Sequence, residues 1–596
     1  MLARTDSRAR AMVLLLFVAM VAMAIGARLV WWQVVQQPWL AEMALHQLSQ
    51  REEIPAERGE ITDVNGAILA TSIEVQSVFA TPPLIEDAER TADLLAPVLG
   101  MASVQLEARL EGDADWVWLK RRIAPEAAER VRSLDLRGIG MLPETERMYP
   151  VQGITQDTTL AAQLLGFVDV NGDGQYGIER GENALLAGEP GAVSAQEDVI
   201  GRRIADSATL LREPVDGADL RLTLDLGVQH VLEQEIWNTY RLNSAAGATG
   251  LIMNAETGAI LAMASYPSYD GNDFATTDGD LFSNPAVARQ YEPGSVMKAF
   301  TVAAALDAGA ITMRDRFDDD NNLVIGNLRI QNADRLEHPY GHGAITAADV
   351  LALSNNVGAA KIGLTLGGRE LYEALKRFGF GAPTGIELAG EASGVVWDPD
   401  GANASGDLTT AQNAFGQGLS LTAVQLAAGY AAFANGGLLV TPHVVDGWTD
   451  ADGTSHEAQA PPAERIMREE TAETMVQLLT NAIDDGIASG AQVPGYTVAG
   501  KTGTAQIAAP IKVNGPDGQL VEQWVYRSGW VDSSFVGILP ASDTKLVTLV
   551  LIHRPAGAGG RYMPDRPETV YARLMPQVLD YLAIPPDRPA EPVAQP

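Results

Sequence analysis

The stretch Glu292-Pro-Gly-Ser295-Val-Met-Lys298-Ala-Phe-Thr-Val-Ala-Ala-Ala-Leu306 decides how the chain is read. Pro293-Gly294 marks a helix start, and Ser295 to about Leu306 is nearly all apolar on its inner faces. Residues three apart share a helix face, so Lys298 lies one turn beneath the Ser295 hydroxyl. A serine needs a nearby base to act as a nucleophile. A lysine serves if burial lowers its pKa, and Met297, Ala299 and Phe300 promise apolar surroundings. The helix N-terminus adds a partly positive field and free N–H groups near the reacting oxygen. The spacing alone is a weak signal, and the chain carries its own control. Ser542-Asp-Thr-Lys545 repeats it in a polar turn between strands, where the lysine would be solvated and charged. That copy is read as a chance match.

Two more clusters stand out downstream. Ser354-Asn-Asn356 follows the apolar Val350-Leu-Ala-Leu353. By itself it reads as a helix cap or turn, which Ser and Asn favour. Lys501-Thr502-Gly503-Thr504 follows Tyr496-Thr-Val-Ala-Gly500 on an expected strand, in a chain with only seven lysines. Its plain reading is an exposed strand end. Its chemical reading is that small residues let a substrate backbone approach the edge, while Lys501 and the hydroxyls of Thr502 and Thr504 hold a carboxylate.

Working outward, Gly250–Ala264 reads as two strands joined at Glu256-Thr-Gly258. Helices are expected at 347–366, 368–378, 421–434 and 469–486, and strands at 496–508, 533–539 and 545–552. Strand pairs flanking a helical middle predict an α+β domain, an antiparallel sheet with a helical cluster packed on it. Upstream, Asn65-Gly66 between apolar runs is a hairpin signal, 33–50 reads as a helix and 85–135 as short helices, and a strand at Leu220–Leu224 precedes a helix around 226–240.

The order S-x-x-K, S-x-N, K-T-G resembles the penicillin-interacting serine transpeptidases and β-lactamases. Gly250–Asp270, Phe415-Gly-Gln-Gly-Leu-Ser420 through Ala434-Asn-Gly-Gly437, and Ser533-Ser-Phe-Val-Gly537 are similar to other parts of that domain. Arg58-Gly-Glu-Ile-Thr-Asp63-Val-Asn-Gly66, Arg147-Met-Tyr-Pro150, Gly177-Ile-Glu179 and Leu224-Asp225 with Gln229 resemble the pedestal of class B penicillin-binding proteins. Gly177-Ile-Glu179, Gly188 to Gly191 and Gly201-Arg-Arg-Ile204 look more like the division (septal) type than the elongation type. Val64 stands where an arginine is usual, and the segment after His553 lacks the usual Gly-Gly…Ala-Pro pattern.

The resemblance implies a peptidoglycan D,D-transpeptidase that β-lactam antibiotics acylate. It implies Ser295 as nucleophile and Lys298 as base. Ser354 relays a proton to the departing D-Ala with help from Lys501, and Asn356 orients the donor amide. Thr502 and Thr504, flanking Gly503, grip the terminal carboxylate of the stem peptide. It also implies a pedestal contact with a polytopic SEDS-type lipid-II glycosyltransferase and with division proteins. Three alternatives stay open: a β-lactamase or D,D-carboxypeptidase of the same fold, an elongation-type enzyme, or a division scaffold.

Arg4, Arg8 and Arg10 precede the uncharged run Ala11–Ala27, and Arg28 is followed by Leu29-Val-Trp31-Trp32. This predicts an uncleaved, single-pass anchor in the cell membrane, with the N-terminus in the cytoplasm and the catalytic domain outside. Ala22-Met-Ala24 would serve as a cleavage site in the competing signal-peptide reading. The expected layout is a cytoplasmic tail at 1–10, an anchor at 11–32, an elongated α+β pedestal at 33–220, the transpeptidase domain at 221–583 and a Pro-rich disordered tail at 584–596.

Composition narrows the chemistry. The 596 residues are 46% hydrophobic and include no cysteine, which excludes disulfides, zinc-thiolate sites and a cysteine nucleophile. A formal charge of −34 disfavours nucleic acid. No cofactor is implied and no metal is expected. His338 and His342 are four apart, but Pro339, Gly341 and Gly343 argue against a helix that would align them. Asp169-Val-Asn171-Gly-Asp173-Gly174 starts like a calcium loop, yet Arg180 stands where the bidentate glutamate is required.

Overall fold

The computed structural model describes residues 7–37, 39, 49–196, 209–326, 328–401, 405–514, 519–543, 545–556 and 563–588. The Gly201–Ile204 motif, most of the expected 33–50 helix, most of the tail after 583 and the first six residues lie outside them.

The chain divides into two compact units. One comprises Met1–Glu57 and Gly188–Gly217. Its helix Ser7–Val30 continues through a wider turn, Trp31–Val35. Residues Arg8–Val35 are long and apolar enough to cross a membrane, which fits a single-pass membrane protein. Arg28 lies over the Trp32 ring, its guanidinium carbon 5.0 Å from the ring centroid, so the charge within the apolar stretch has an aromatic partner. The same unit holds a three-stranded antiparallel sheet, Ser49–Ile54, Gly191–Gln196 and Thr209–Arg212, with the second strand central. Ser49 and Gln50 are therefore strand, where helix was expected.

The second unit comprises Arg58–Ala187 and Ala218–Pro596. Its first sheet is built on the long strand Ile68–Ala80, which pairs with Ile61–Thr62, Val117–Ile123 and Ile139–Met148. The hairpin at Asn65-Gly66 forms as expected, with Gly66 at φ 85°. The region 85–135 supplies helices Ala88–Leu99, Ser103–Leu110 and Pro125–Ser133, but where only helices were expected Val117–Ile123 between the last two is a strand, held by pairing with Ile68–Ala80. Asp219–Leu222 joins this sheet and pairs in turn with Val445–Thr449.

A buried carboxylate locks this region. Glu179, fully inaccessible, accepts hydrogen bonds from Arg58 Nε and Arg147 Nε, both at 2.7 Å, and from the Tyr149 hydroxyl at 3.1 Å. The Asp169 loop is a hairpin turn between Phe167–Val168 and Gly174–Gln175, and the Asp169 carboxylate accepts from the amides of Asn171 and Asp173.

The large sheet has five antiparallel strands. They are β1 (Gly247–Asn254), β2 (Ile260–Tyr266), β3 (Ala499–Asn514), β4 (Leu520–Leu539) and β5 (Leu546–His553), in the order β2-β1-β5-β4-β3. β3 is thus an edge strand. Helices α1 (Leu226–Leu242) and α7 (Pro567–Tyr581) cover one face, around Val228, Leu232, Phe535, Tyr571 and Leu574. On the other face lie α2 (Lys298–Asp307), α3 (Ala347–Ala352), α4 (Asn356–Leu366), α5 (Ala423–Ala434) and α6 (Glu469–Asp484). The α+β expectation, an antiparallel sheet carrying a helical cluster, holds. β3 and β4 extend further than expected, pairing out to Asn514 and Leu520.

Candidate active site

The α2 helix is entered through a tighter turn, Gly294–Met297. Its start is clamped by backbone contacts. Gly294 (φ 59°) donates to the Gly416 carbonyl at 2.9 Å, and the Tyr430 hydroxyl donates to the Val296 carbonyl at 2.9 Å. A Cβ on Gly294 would stand 2.7 Å from the Thr504 carbonyl oxygen, so glycine is what lets this turn lie against β3. One turn in, Phe300 packs among Phe378, Phe380, Tyr430 and Phe433. Ser295 is left half-buried at the mouth while Lys298 is fully buried beneath it.

The Lys298 Nζ donates to the Ser295 Oγ at 2.9 Å, the Ser354 Oγ at 3.1 Å and the Ser354 carbonyl at 2.5 Å. Burial, helped by the nearby Lys501 charge, holds the Lys298 pKa well below that of an ordinary lysine, with Asp334 pulling it back in part. This is the setting in which a lysine is a base at neutral pH.

The expected single helix over 347–366 breaks at the S-x-N motif, and the break builds the site. α3 ends with Ser354 in the left-handed region (φ 54°), where Asn355 N–H returns to the Val350 carbonyl at 3.0 Å. Asn355 then caps α4 by accepting from Gly358 N–H at 2.7 Å and donates to Asp319 at 2.6 Å. Asn355 realises the cap reading of the cluster, and Ser354 faces Lys298. Asn356 donates its side-chain amide to the Gln331 carbonyl at 2.9 Å.

Lys501, Thr502, Gly503 and Thr504 pair with Val536, Phe535, Ser534 and Ser533 of β4. A Cβ on Gly503 would meet Ser534 Oγ at 2.6 Å and the Pro293 carbonyl oxygen at 2.8 Å, so this glycine allows β3 to abut the start of α2. Lys501 is buried, and burial pushes its pKa down to about 7, with Glu568 of α7 opposing. Among the described residues its ammonium hydrogen-bonds the Thr502 carbonyl at 3.3 Å rather than the Ser354 hydroxyl. Its bearing on Lys298 is through charge.

Ser295, Ser354, Asn356, Thr502, Gly503 and Thr504 all line one cavity of about 380 Å³. Lys545, in the chance copy of the motif, is instead partly exposed and paired with Asp543 at 3.2 Å. The cavity therefore presents a hydroxyl backed by a buried amine, a second hydroxyl and a strand edge, an arrangement suited to acyl transfer to and from serine.

Comparison with known proteins agrees. Residues 248–572 match the penicillin-binding protein transpeptidase domain, and residues 53–222 match the penicillin-binding protein dimerisation domain. The chain belongs to the penicillin-binding protein transpeptidases. One relative is stage V sporulation protein D of Bacillus subtilis. The two are 33% identical over 557 residues, covering 92% of this chain and 82% of that one. It is 29% identical to peptidoglycan D,D-transpeptidase FtsI of Escherichia coli K12, covering 94% and 90%. Among solved structures, a peptidoglycan synthetase from Bifidobacterium adolescentis superposes with a TM-score of 0.68 at 28% identity, over 91% and 98% of the two chains. Penicillin binding protein 3 from Mycobacterium tuberculosis, complexed with aztreonam, gives 0.66 at 25% identity over 91% and 100%.

One part of this penicillin-binding protein's cavity was not legible in the sequence. Asp334, His338 and His342 line it together, with ligand atoms all within 4.8 Å of one another. Pro339 and the glycines do exclude a long helix, but a turn does the same work. The Asp334 carbonyl accepts from the Glu337 and His338 amides, and Gly341 (φ 72°) then reverses the chain. The two imidazole rings end 4.4 Å apart. Asp334 gave no signal in the sequence, because it is one acidic residue among 76.

Proposed function

We propose that this penicillin-binding protein cross-links peptidoglycan stem peptides as a D,D-transpeptidase in septal wall synthesis. The hydrogen bond from the buried Lys298 Nζ to the Ser295 Oγ carries the reading. Ser295 Oγ attacks the carbonyl carbon between the two terminal D-alanines, and its proton passes to Lys298. The amides of Ser295 and Thr504 receive the oxyanion. The C–N bond breaks as Ser354 Oγ delivers a proton to the departing amine, and Ser354 is reprotonated from Lys298 through their 3.1 Å contact. Asn356 orients the donor amide, while Thr502 and Thr504 hold the terminal carboxylate beside Lys501. An amine from a neighbouring stem then attacks the ester, forms the cross-link and returns the proton to Ser295. β-Lactams stop at the acyl-enzyme. The N-terminus lies in the cytoplasm and the domain outside, as Arg8 and Arg10 in the first turns of the apolar helix favour. A SEDS-type lipid-II glycosyltransferase is the partner proposed for the anchor and pedestal.

The test is a labelling chase on the full chain in detergent micelles with a fluorescent penicillin. Label that persists for hours on the native protein, with none on folded Ser295→Ala, is expected. Label lost within seconds would make it a hydrolase. Undiminished labelling of Ser295→Ala would remove Ser295 as the nucleophile.

A further inference from the structure

Apart from the charge that Asp334 sets near Lys298, the Asp334–His338–His342 cluster takes no step in the acyl transfer just described. His342 Nε2 lies 2.7 Å from Asp334 Oδ2. The other carboxylate oxygen, Asp334 Oδ1, is buried without a hydrogen-bond partner. A buried carboxylate oxygen with no donor is costly and rare. Among the described residues no lysine or arginine hydrogen-bonds it, and both neighbouring imidazoles present ring nitrogens to the same space. Two imidazoles and one carboxylate make a mixed nitrogen and oxygen donor set of the kind that holds zinc. Tetrahedral ligands at ~2.0–2.1 Å from zinc stand ~3.3 Å from one another. Atoms already within 4.8 Å reach that spacing by small side-chain rotations, and His338 is exposed and free to make them.

We propose that Asp334, His338 and His342 bind one zinc-class divalent cation at the rim of the active-site cavity, and that the cation stiffens the segment supporting Asn356. The connection is short. Gln331 and Asn332 immediately precede the cluster. The Gln331 carbonyl accepts the Asn356 side-chain amide at 2.9 Å, and Asn332 Oδ1 accepts Asn356 N–H at 2.9 Å and Val357 N–H at 3.1 Å. Asn332 also donates to both oxygens of Asp319, which holds Asn355. A cation that closes the 334–342 turn therefore fixes the scaffold on which the S-x-N motif rests. With three protein ligands the fourth position faces the cavity, where water or Glu337 completes the shell. These residues act on the reaction by positioning.

The experiment uses untagged full-length protein in detergent, stripped with a chelator and titrated with Zn²⁺ and, separately, Co²⁺. One equivalent of each is expected to bind, Co²⁺ giving the visible absorption of a tetrahedral nitrogen and oxygen site. His338→Gln, at an exposed position where folding is not at stake, is expected to weaken binding at least ~10-fold. Chelation is expected to slow penicillin acylation of the native protein severalfold, Zn²⁺ to restore it, and His338→Gln to be insensitive to both. Absence of stoichiometric binding at micromolar metal, or equal binding by His338→Gln, overturns the site. Stoichiometric binding with acylation unchanged overturns the positioning role. The absorption readout does not depend on Ser295, so failure of the transpeptidase reading would be seen separately.

Discussion

Replacing Lys501 with methionine should make this protein more stable and less active. Lysine in an unfolded chain titrates near 10.5, whereas in the fold burial brings Lys501 to about 7. The native state thus holds its proton less tightly than the unfolded state. Its handicap is absent above about pH 10.5, grows as pH falls and is complete below about pH 7. The full gap corresponds to about 5 kcal/mol, of which about 4 applies at pH 7. Methionine has a similar unbranched stem and no charge to desolvate, but it forfeits the hydrogen bond to the Thr502 carbonyl, worth about 1 kcal/mol. The net expectation is a gain of about 3 kcal/mol at pH 7, falling to zero near about pH 10 and turning into a loss of up to about 1 kcal/mol above it. Denaturant unfolding of both proteins in detergent at pH 7 and pH 10, followed by tryptophan fluorescence, measures it. Penicillin acylation of the variant should fall steeply at the same time. A variant no more stable than the native protein at pH 7, or a gain of equal size at both pH values, would refute the reasoning.

Three other substitutions probe separate features. Glu179→Ala leaves Arg58 and Arg147 facing each other without their carboxylate, and should cost about 3–5 kcal/mol in the same unfolding assay. Gly503→Ala drives a Cβ to 2.6 Å from Ser534 Oγ and 2.8 Å from the Pro293 carbonyl oxygen. It should cost about 1–3 kcal/mol and slow acylation by displacing β3 from the start of α2, so acylation at the native rate would count against the clamp. Ser354→Gly and Ser354→Ala both remove the relay hydroxyl, but only glycine relieves the left-handed backbone at φ 54°. The glycine variant should melt higher than the alanine variant by an amount worth about 1 kcal/mol, with acylation impaired in both.

The sequence exposed the parts of the site that local pattern encodes. Ser295 and Lys298 sit at a helix start because Pro293-Gly294 announces it and the apolar run sustains it, and β3 is legible from its alternation and small residues. What escaped depends on distant pairing or on a single φ angle. The helix expected at 347–366 has continuous helical periodicity, and only the left-handed Ser354 breaks it. Val117–Ile123 hides as a strand because Lys120, Arg121 and Arg122 interrupt its apolar alternation. The sheet that joins Ser49–Ile54 to Gly191–Gln196 pairs residues some 140 positions apart, which no local propensity reports. Asp334 meets His342 through a glycine-reversed turn, and a search for helical spacing cannot find such an arrangement.

The place of β3 at the margin of its sheet has a consequence for drug resistance. An inhibitor that pairs with this strand through the peptide groups of Thr502, Gly503 and Thr504 reads features that a side-chain change, short of proline, does not erase. Gly503 admits no larger residue without displacing Pro293 or Ser534. Escape from such a compound has to come from neighbouring loops that narrow the entrance, and those changes obstruct the natural peptide on the same path.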